Sequence, residues 1–357
     1  MTCAMAVPKA GNQPAASLWL SLPMYLRVAC EPIRIWLENP DVVEIMCNRP
    51  CEVWVEDIRH ADMTRHVVPE LTRVLIERIA GQVAGHTSQS VNETTPLLSA
   101  AMPGGERFQV VLHPASPDGG SFSIRKQVIS NLTLAEYAGR GAFDKVRITG
   151  PKLVDPDDVS ETDAELVKLL RDTSPQGIRN ALEFAVQNQM TMIVSGGTSS
   201  GKTTLLNALM RSVPENERIL TIEDTRELKP VQPNVQAMIA SKGGQGLSTA
   251  TIQNCLEAAL RLRPDRIFLG EIRGAEAWSF LQAVNTGHPG SMSSLHANSP
   301  REAIERLALA TMQAGFGMTK SEITEYIRLV VPVIIQIRRK PDRGVTEIYF
   351  NKYTRPE

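Results

Sequence analysis

The chain has 357 residues, which is long for one domain and favours two. A hydrophobic content of 42% and a charged content of 22% indicate an ordinary globular protein with a substantial core. The net charge of −1 excludes a global field that would draw the protein onto nucleic acid or an anionic bilayer. The five cysteines are odd in number and scattered, so they predict reduced thiols and neither a disulfide framework nor a zinc site.

Residues 1–27 are expected to be a flexible, membrane-proximal lead-in. Within them, residues 17–26 (SLWLSLPMYL) are apolar enough to lie on a membrane surface or a partner. A tether packed against its own domain is the interpretation that we favour. No apolar run reaches the length of a spanning helix, and no signal peptide is expected.

Residues 28–139 predict a small α+β domain. We expect strands over 41–46 and 51–56, a helix that carries Leu71, Val74, Leu75, Ile79 and Val83 on one face, and a hairpin over 108–113 and 121–126. Glycine, proline and aspartate then become frequent. Residues 140–163 are therefore interpreted as a linker, with an insertion inside a domain as the alternative.

Residues 164–357 alternate between helical and strand-like segments, which predicts an α/β domain with a parallel sheet. The expected strands lie over 190–194, 218–222, 266–269 and 329–337, and the helices between them over 203–212, 249–262 and 301–313.

A phosphate-binding loop is the strongest motif, because GGTSSGKT fits G-x-x-x-x-G-K-[ST] between an apolar strand and a helix. Backbone N–H groups of such a loop surround the β-phosphate of ATP. Lys202 can reach the β- and γ-phosphates, and the Thr203 hydroxyl can ligate Mg²⁺. The residues expected to hold the nucleotide are Gly196, Gly197, Thr198, Ser199, Ser200, Gly201, Lys202, Thr203 and Thr204.

Hydrolysis also needs a carboxylate for Mg²⁺ and another that orients water. Glu223 and Glu271 each follow a predicted strand, and ligands of an open parallel sheet gather at the carboxyl ends of its strands. For either acid alone, a helix cap or a surface ion pair is the alternative. His288 and His296 follow; their spacing favours a polar segment beside the γ-phosphate over a zinc site, with His296 sensing the nucleotide state.

Four motifs occur in the order found in secretion ATPases, which this sequence resembles: GGTSSGKTT (196–204), TIEDTREL (221–228), LRPDRIFLGEIRGAEA (262–277) and NTGHPGSMSSLHAN (285–298). They look like the Walker A motif, Asp box, atypical Walker B motif and His box of that family. Residues 39–56 and 121–126 resemble the N-terminal domain of the type IV secretion traffic ATPases. The resemblance covers about residues 28–350 and implies a RecA-like P-loop NTPase domain preceded by a small α+β domain.

The same resemblance implies roles for single residues. Glu223 would be the water-orienting base, and Glu271 would hold Mg²⁺ through its water shell. His296 and His288 would couple the γ-phosphate to neighbouring subunits. Positive charge for the phosphates would come from Arg107, Arg125 and Arg226. For these arginines a surface or interdomain ion pair is the alternative.

At the level of function, the resemblance implies a homohexameric, Mg²⁺-dependent ATPase that energises type IV secretion on the cytoplasmic face of the bacterial inner membrane. Its partners would be its own copies and other inner-membrane secretion components, including ATPases, with peripheral membrane contact; direct nucleic-acid binding is not indicated.

One alternative is a pilus or type II secretion motor, although Cys255 is the only cysteine beyond residue 51 and the type II motors carry four in a metal subdomain. A nucleotide-gated assembly scaffold with little turnover is the second alternative. An ABC transporter ATPase is rejected because Gly270, not aspartate, precedes Glu271.

Overall fold

The structure is a computed structural model that describes residues 18–57, 60, 62–126, 132–241, 248–315, 317–339 and 343–354. The chain divides into two compact units between residues 128 and 129. Each unit has its own hydrophobic core, and each is described in turn.

The first unit is a six-stranded antiparallel sheet, with strand order β3-β2-β1-β6-β5-β4, that packs against helices. Its helices are α1 (Leu18–Ser21), α2 (Met24–Cys30), α3 (Arg34–Glu38) and α4 (Arg73–His86), with a 3-10 turn at Glu31–Ile33. Its strands are β1 (Val42–Cys47), β2 (Glu52–Asp57), β3 (Thr64–Val67), β4 (Leu97–Ala101), β5 (Arg107–Val111) and β6 (Ser121–Arg125).

Sequence periodicity explains how this sheet and its long helix bury one face. In β6, Phe122 and Ile124 are buried between half-buried neighbours, as alternation in a strand requires. Helix α4 begins after Thr72, whose side chain accepts a hydrogen bond from Leu75 N, and it buries Ile76, Ile79, Ala80 and Val83. The predicted α+β character is therefore confirmed, although Val74, expected on the core face, is exposed.

The start of the described chain is folded, which corrects part of the predicted lead-in. The side chains of Trp19, Leu22 and Leu26 are 6%, 1% and 0% exposed and belong to the core of the first unit. Through these three side chains the segment 18–27 packs against its own domain, since burial of large apolar side chains is favourable. The other predicted lead-in residues, 1–17, lie outside the described part of the chain.

The second unit is an eight-stranded sheet with the order β10-β9-β11-β12-β8-β13-β14-β7. Its strands are β7 (Arg147–Thr149), β8 (Met192–Gly196), β9 (Ile219–Glu223), β10 (Val235–Ile239), β11 (Arg266–Leu269), β12 (Met292–Leu295), β13 (Val333–Arg338) and β14 (Gly344–Phe350). Its helices are α5 (Leu134–Gly139), α6 (Glu161–Leu170), α7 (Pro175–Gln187), α8 (Lys202–Met210), α9 (Ile252–Ala259), α10 (Glu276–Asn285), α11 (Pro300–Met312) and α12 (Lys320–Val330), with a 3-10 turn at Pro156–Asp158.

All neighbouring strands of this sheet are parallel except the hairpin of β13 and β14. The sheet is covered on both faces: Met192 and Val194 enter one core, and Ile193 between them enters the other. Burial on both faces explains why the central strands are continuously apolar. The predicted strand over 329–337 is wrong at its start, because α12 continues to Val330 and β13 begins only at Val333.

The predicted linker, residues 140–163, is wrong, because this segment contributes a strand to the second unit. Strand β7 pairs in parallel with β14, and Glu347 accepts hydrogen bonds from Arg147 Nη2 (2.6 Å) and Thr149 Oγ1 (2.8 Å). Gly150 follows so closely under Tyr353 that a Cβ would lie 1.8 Å from its carbonyl oxygen. The glycines and prolines therefore shape turns around an edge strand, and they do not make a tether.

The predicted boundary at residue 139 also moves. Helix α5 lies within the range predicted for the first domain, yet Leu134 and Tyr137 of this helix are buried in a core of the second unit. This helix begins with a capping box between Thr133 and Glu136, which fixes its first turn. The insertion alternative, weighed for residues 140–163, thus fits the structure better than a linker does.

Candidate functional site

The glycine-rich loop joins β8 to α8 and presents backbone N–H groups at the amino terminus of the helix. Gly201, with a φ of 101°, stands at the N-cap in the left-handed region that favours glycine. A Cβ on Gly196 would lie 2.6 Å from the Ile337 carbonyl oxygen, so the start of the loop passes too close to β13 for any side chain. The Ser200 hydroxyl closes the turn by donating to the Gly197 carbonyl (2.9 Å).

Lys202 is 8% exposed and points into this loop. Its ammonium donates to the carbonyl oxygens of Gly196 (3.1 Å) and Gly197 (3.0 Å), and lies 3.2 Å from His296 Nδ1. An ammonium can only donate, so Nδ1 accepts and the ring proton belongs on Nε2. The cation is thus held where a phosphate of a nucleotide bound to the loop would meet it.

Glu271 lies on the other side of His296. The Nε2 atom of His296 is 2.9 Å from Glu271 Oε1, and Arg273 Nη2 donates to Oε2 of the same carboxylate (2.7 Å). Arg273 Nη1 in turn donates to Asp224 (2.9 Å). Burial by itself would raise the pKa of Glu271, but the hydrogen bonds from His296 and Arg273 and the charge of Arg273 hold that pKa well below its usual range. Glu271 is therefore ionised throughout the physiological pH range.

Glu223 ends β9 and is 3% exposed. Its Oε1 accepts two backbone N–H groups, from Glu227 and Leu228, both at 2.8 Å. Its Oε2 is buried, and no group in the described ranges donates a hydrogen bond to it. Burial raises the pKa of Glu223 to about 7 despite the two N–H donors. One oxygen is thus fixed in orientation and the other is left to accept a proton near neutral pH.

Sequence reasoning missed Glu227, which links the phosphate loop to the segment after β9. The Thr203 hydroxyl donates to Glu227 Oε2 (3.1 Å), and Asn207 Nδ2 donates to the Glu227 carbonyl (3.0 Å). Lys229 N donates to Asn207 Oδ1 (2.8 Å), so α8 holds this segment from two sides. The available signal was the position of Glu227 in the acidic motif, four residues after Glu223.

The oxygen groups at this edge suit a hard cation such as Mg²⁺. They include the Thr203 hydroxyl, the ionised Glu271 and a buried Glu223 oxygen without a donor. Among the described residues, no three histidine, cysteine or acidic side chains form a metal cluster of their own. Mg²⁺ is usually held by one or two protein groups together with nucleotide phosphates and water, and the oxygen groups at this edge would fit that role.

One predicted site residue of this unit, His288, is not brought to this edge. His288 lies before β12, with Nδ1 3.0 Å from the Pro264 carbonyl, at the end where β11 and β12 begin. The four residues of β12, about 13 Å of strand, separate it from His296. The structure therefore does not support the expected part of His288 in nucleotide binding within one chain. Arg226 is exposed in the segment after β9.

Arg107 and Arg125 belong to the first unit. They occupy opposite positions in the ladder of β5 and β6, and Glu44 is opposite Arg125 in the ladder of β1 and β6. Two arginines opposite each other cost stability unless an acidic group compensates. The sheet therefore brings these two arginines together. Their contact with nucleotide stays a prediction.

Comparison with known proteins places this arrangement in a family. Residues 160–343 match the family described as "Type II/IV secretion system protein". The "Type IV secretion system protein VirB11" of Bartonella quintana (strain Toulouse) is 37% identical over 330 residues, covering 90% of this chain and 92% of the relative. That of Brucella suis biovar 1 (strain 1330) is 35% identical over 335 residues, covering 91% and 90%. The structure of the Yersinia pseudotuberculosis ATPase DotB superposes with a TM-score of 0.54 at 16% identity, over 96% of this chain and 81% of DotB, and shares the fold.

Proposed function

Because this chain belongs to the VirB11 proteins of type IV secretion, within the type II/IV secretion family, we infer that it hydrolyses ATP to drive that secretion. One observation carries the enzymatic part. Four neighbouring strands, β9, β11, β12 and β8, deliver Glu223, Glu271, His296 and the phosphate loop to the same edge of the sheet. A nucleotide in the loop would thus meet a base, a charged carboxylate and a histidine that touches both Glu271 and Lys202.

The residues divide the chemistry between them. Glu223 accepts the proton of the water that attacks the γ-phosphate in line, because its unbonded oxygen is a base once ionised. Lys202 compensates charge on the transferring phosphoryl group. The Thr203 hydroxyl would hold Mg²⁺ directly and Glu271 would hold it through the water shell of the ion, and the ion would supply further charge neutralisation there. His296, in contact with Lys202 and Glu271, senses whether the lysine has moved to a phosphate.

The pKa of Glu223 predicts how activity depends on pH. A raised carboxyl pKa means that the group is protonated below about pH 7 and becomes a base only above it. The kcat/KM for ATP, which reports the free enzyme, is expected to fall about tenfold per pH unit below pH 7 and to level off above it. Initial rates of phosphate release from pH 5.5 to 8.5 test this. A profile that stays flat down to about pH 5 would contradict the assignment of Glu223 as the base.

We further propose that the protein works as a homohexameric ring in which neighbouring copies complete the site. The exposure of Arg226 and of Arg273, whose side chain is 42% exposed, supports this, since a neighbouring copy could contact these side chains. Arg107, Arg125 and His288 are proposed to act on nucleotide or on a neighbouring copy. Light scattering during size exclusion with ATP and MgCl₂ should give about six times the 39.2 kDa of one chain. A monomer under all conditions would exclude the ring.

The proposed location is the cytoplasmic face of the bacterial inner membrane, with other inner-membrane secretion components as partners. No helix in the described part of the chain is long and apolar enough to cross a membrane. The first unit, however, exposes apolar side chains beside its buried ones: Leu20 is 64%, Met24 73% and Val28 62% exposed. These side chains support attachment by surface contact with the membrane or a partner.

A further inference from the structure

Glu227 is the one carboxylate in the described chain that accepts a hydrogen bond from the Thr203 hydroxyl. The same residue reaches Glu223 through its backbone, because its N–H donates to Glu223 Oε1. Its carbonyl is held by Asn207 of α8. Glu227 therefore contacts both Thr203, the proposed metal ligand, and Glu223, the proposed base for the attacking water.

The direction of the Thr203 hydrogen bond matters for metal binding. A threonine hydroxyl has one hydrogen and two lone pairs, and in a helix its hydrogen commonly turns back to the carbonyl four residues earlier. Here the hydrogen is directed to Glu227 instead, 3.1 Å between the two oxygens. The lone pairs are thereby left for a cation, and the adjacent negative charge favours a cation over a neutral ligand.

We propose that Glu227 is a positioning residue for Mg²⁺: it fixes the Thr203 hydroxyl for coordination and adds a negative charge beside the metal. This inference rests on the proposed Mg²⁺-dependent ATP hydrolysis and assigns a residue to it. Carboxylates that orient metal ligands typically change metal affinity about 10- to 100-fold when removed. Since Glu227 is negatively charged, the same removal should reduce repulsion of a nucleotide that arrives without metal.

The experiment measures nucleotide affinity with and without metal, so it does not depend on turnover. Binding of a fluorescent ADP, labelled with N-methylanthraniloyl on the ribose, is titrated in MgCl₂ and in EDTA for wild type, Glu227→Ala and Glu227→Gln. The gain in affinity caused by Mg²⁺ is expected to fall about 10- to 100-fold in Glu227→Ala. Affinity in EDTA should be unchanged or higher. Glu227→Gln, which still accepts the Thr203 hydrogen, should keep an intermediate Mg²⁺ gain.

Controls separate this role from a structural one. Glu215→Ala changes an exposed acid of the same unit and should leave both titrations as in wild type. Thermal unfolding of each variant reports the loop's contribution to stability. If Glu227→Ala weakens binding equally with and without Mg²⁺, the residue only holds the loop together and the inference is overturned. An undiminished Mg²⁺ gain would overturn it as well. A wild-type protein that binds ADP equally well in MgCl₂ and EDTA would instead contradict the proposed Mg²⁺-dependent function.

Discussion

Replacement of Lys202 by alanine is expected to lower ATP turnover at least about 10³-fold, close to a barrier increase of about 4 kcal/mol. The lysine ammonium is held inside the phosphate loop by the Gly196 and Gly197 carbonyls. Without it, charge on the transferring phosphoryl group is left uncompensated in a buried site. The substitution also removes the donor to His296 Nδ1, so the contact between His296 and the loop is lost. The contact between His296 and Glu271 should persist.

The measurement is steady-state phosphate release, with Lys168→Ala as the matched control. Lys168 is exposed on α6 and forms an ion pair with Glu165 of its own helix, so its loss should leave turnover within about twofold. Thermal unfolding should show similar melting temperatures for both variants, since neither removes apolar core. Substantial turnover by Lys202→Ala would contradict the assignment of the phosphate loop.

Glu223→Gln is expected to lower turnover about 10²- to 10⁴-fold while ATP binding stays close to that of wild type. The glutamine carbonyl can still accept the N–H groups of Glu227 and Leu228, so the loop keeps its geometry. The amide nitrogen that replaces the free oxygen cannot accept a proton from water. Binding and chemistry should therefore separate in this variant.

This variant also decides between a motor and a nucleotide-gated scaffold. For a motor, secretion should stop together with hydrolysis, although ATP is still bound. If wild type and Glu223→Gln hydrolyse equally slowly and secretion continues, the scaffold alternative is correct. Glu165→Gln, an exposed acid on α6, provides the matched control and should change neither measurement.

The positions of the strands along the chain and the acids that end them were predictable because local sequence determines them. One apolar run is followed by glycines, and two others end near Glu223 and Glu271. The carboxyl ends of parallel strands meet at one edge of a sheet, so these runs are enough to predict that the groups lie together. The same reasoning misplaced His288, because the seven residues between the two histidines include a whole strand and carry the chain from one edge to the other. Spacing alone does not say on which side of a strand a residue lies.

Long-range pairing explains the other differences between prediction and structure. Strand β7 has three residues and pairs with a partner about two hundred positions later, so composition around it suggested only turns. The contact between Thr203 and Glu227 likewise depends on how α8 and the segment after β9 approach each other. Amphipathic spacing predicts which face of an element is buried, and it does not predict such polar pairs.

Strand β7 also bears on how force would pass through the second unit. It is held by β14, which pairs with β13, which pairs with the phosphate-loop strand β8, so three ladders of about 5 Å connect them. The segment from α5 through α6 is anchored by Ile148, by the Glu347 contacts and by buried Tyr137. A displacement of the loop on nucleotide binding would therefore be transmitted across these hydrogen-bonded strands to β7. Tension along β7 would act on all of its hydrogen bonds to β14 at once, in shear. A strand pair pulled in this direction resists rupture better than one whose hydrogen bonds open one at a time.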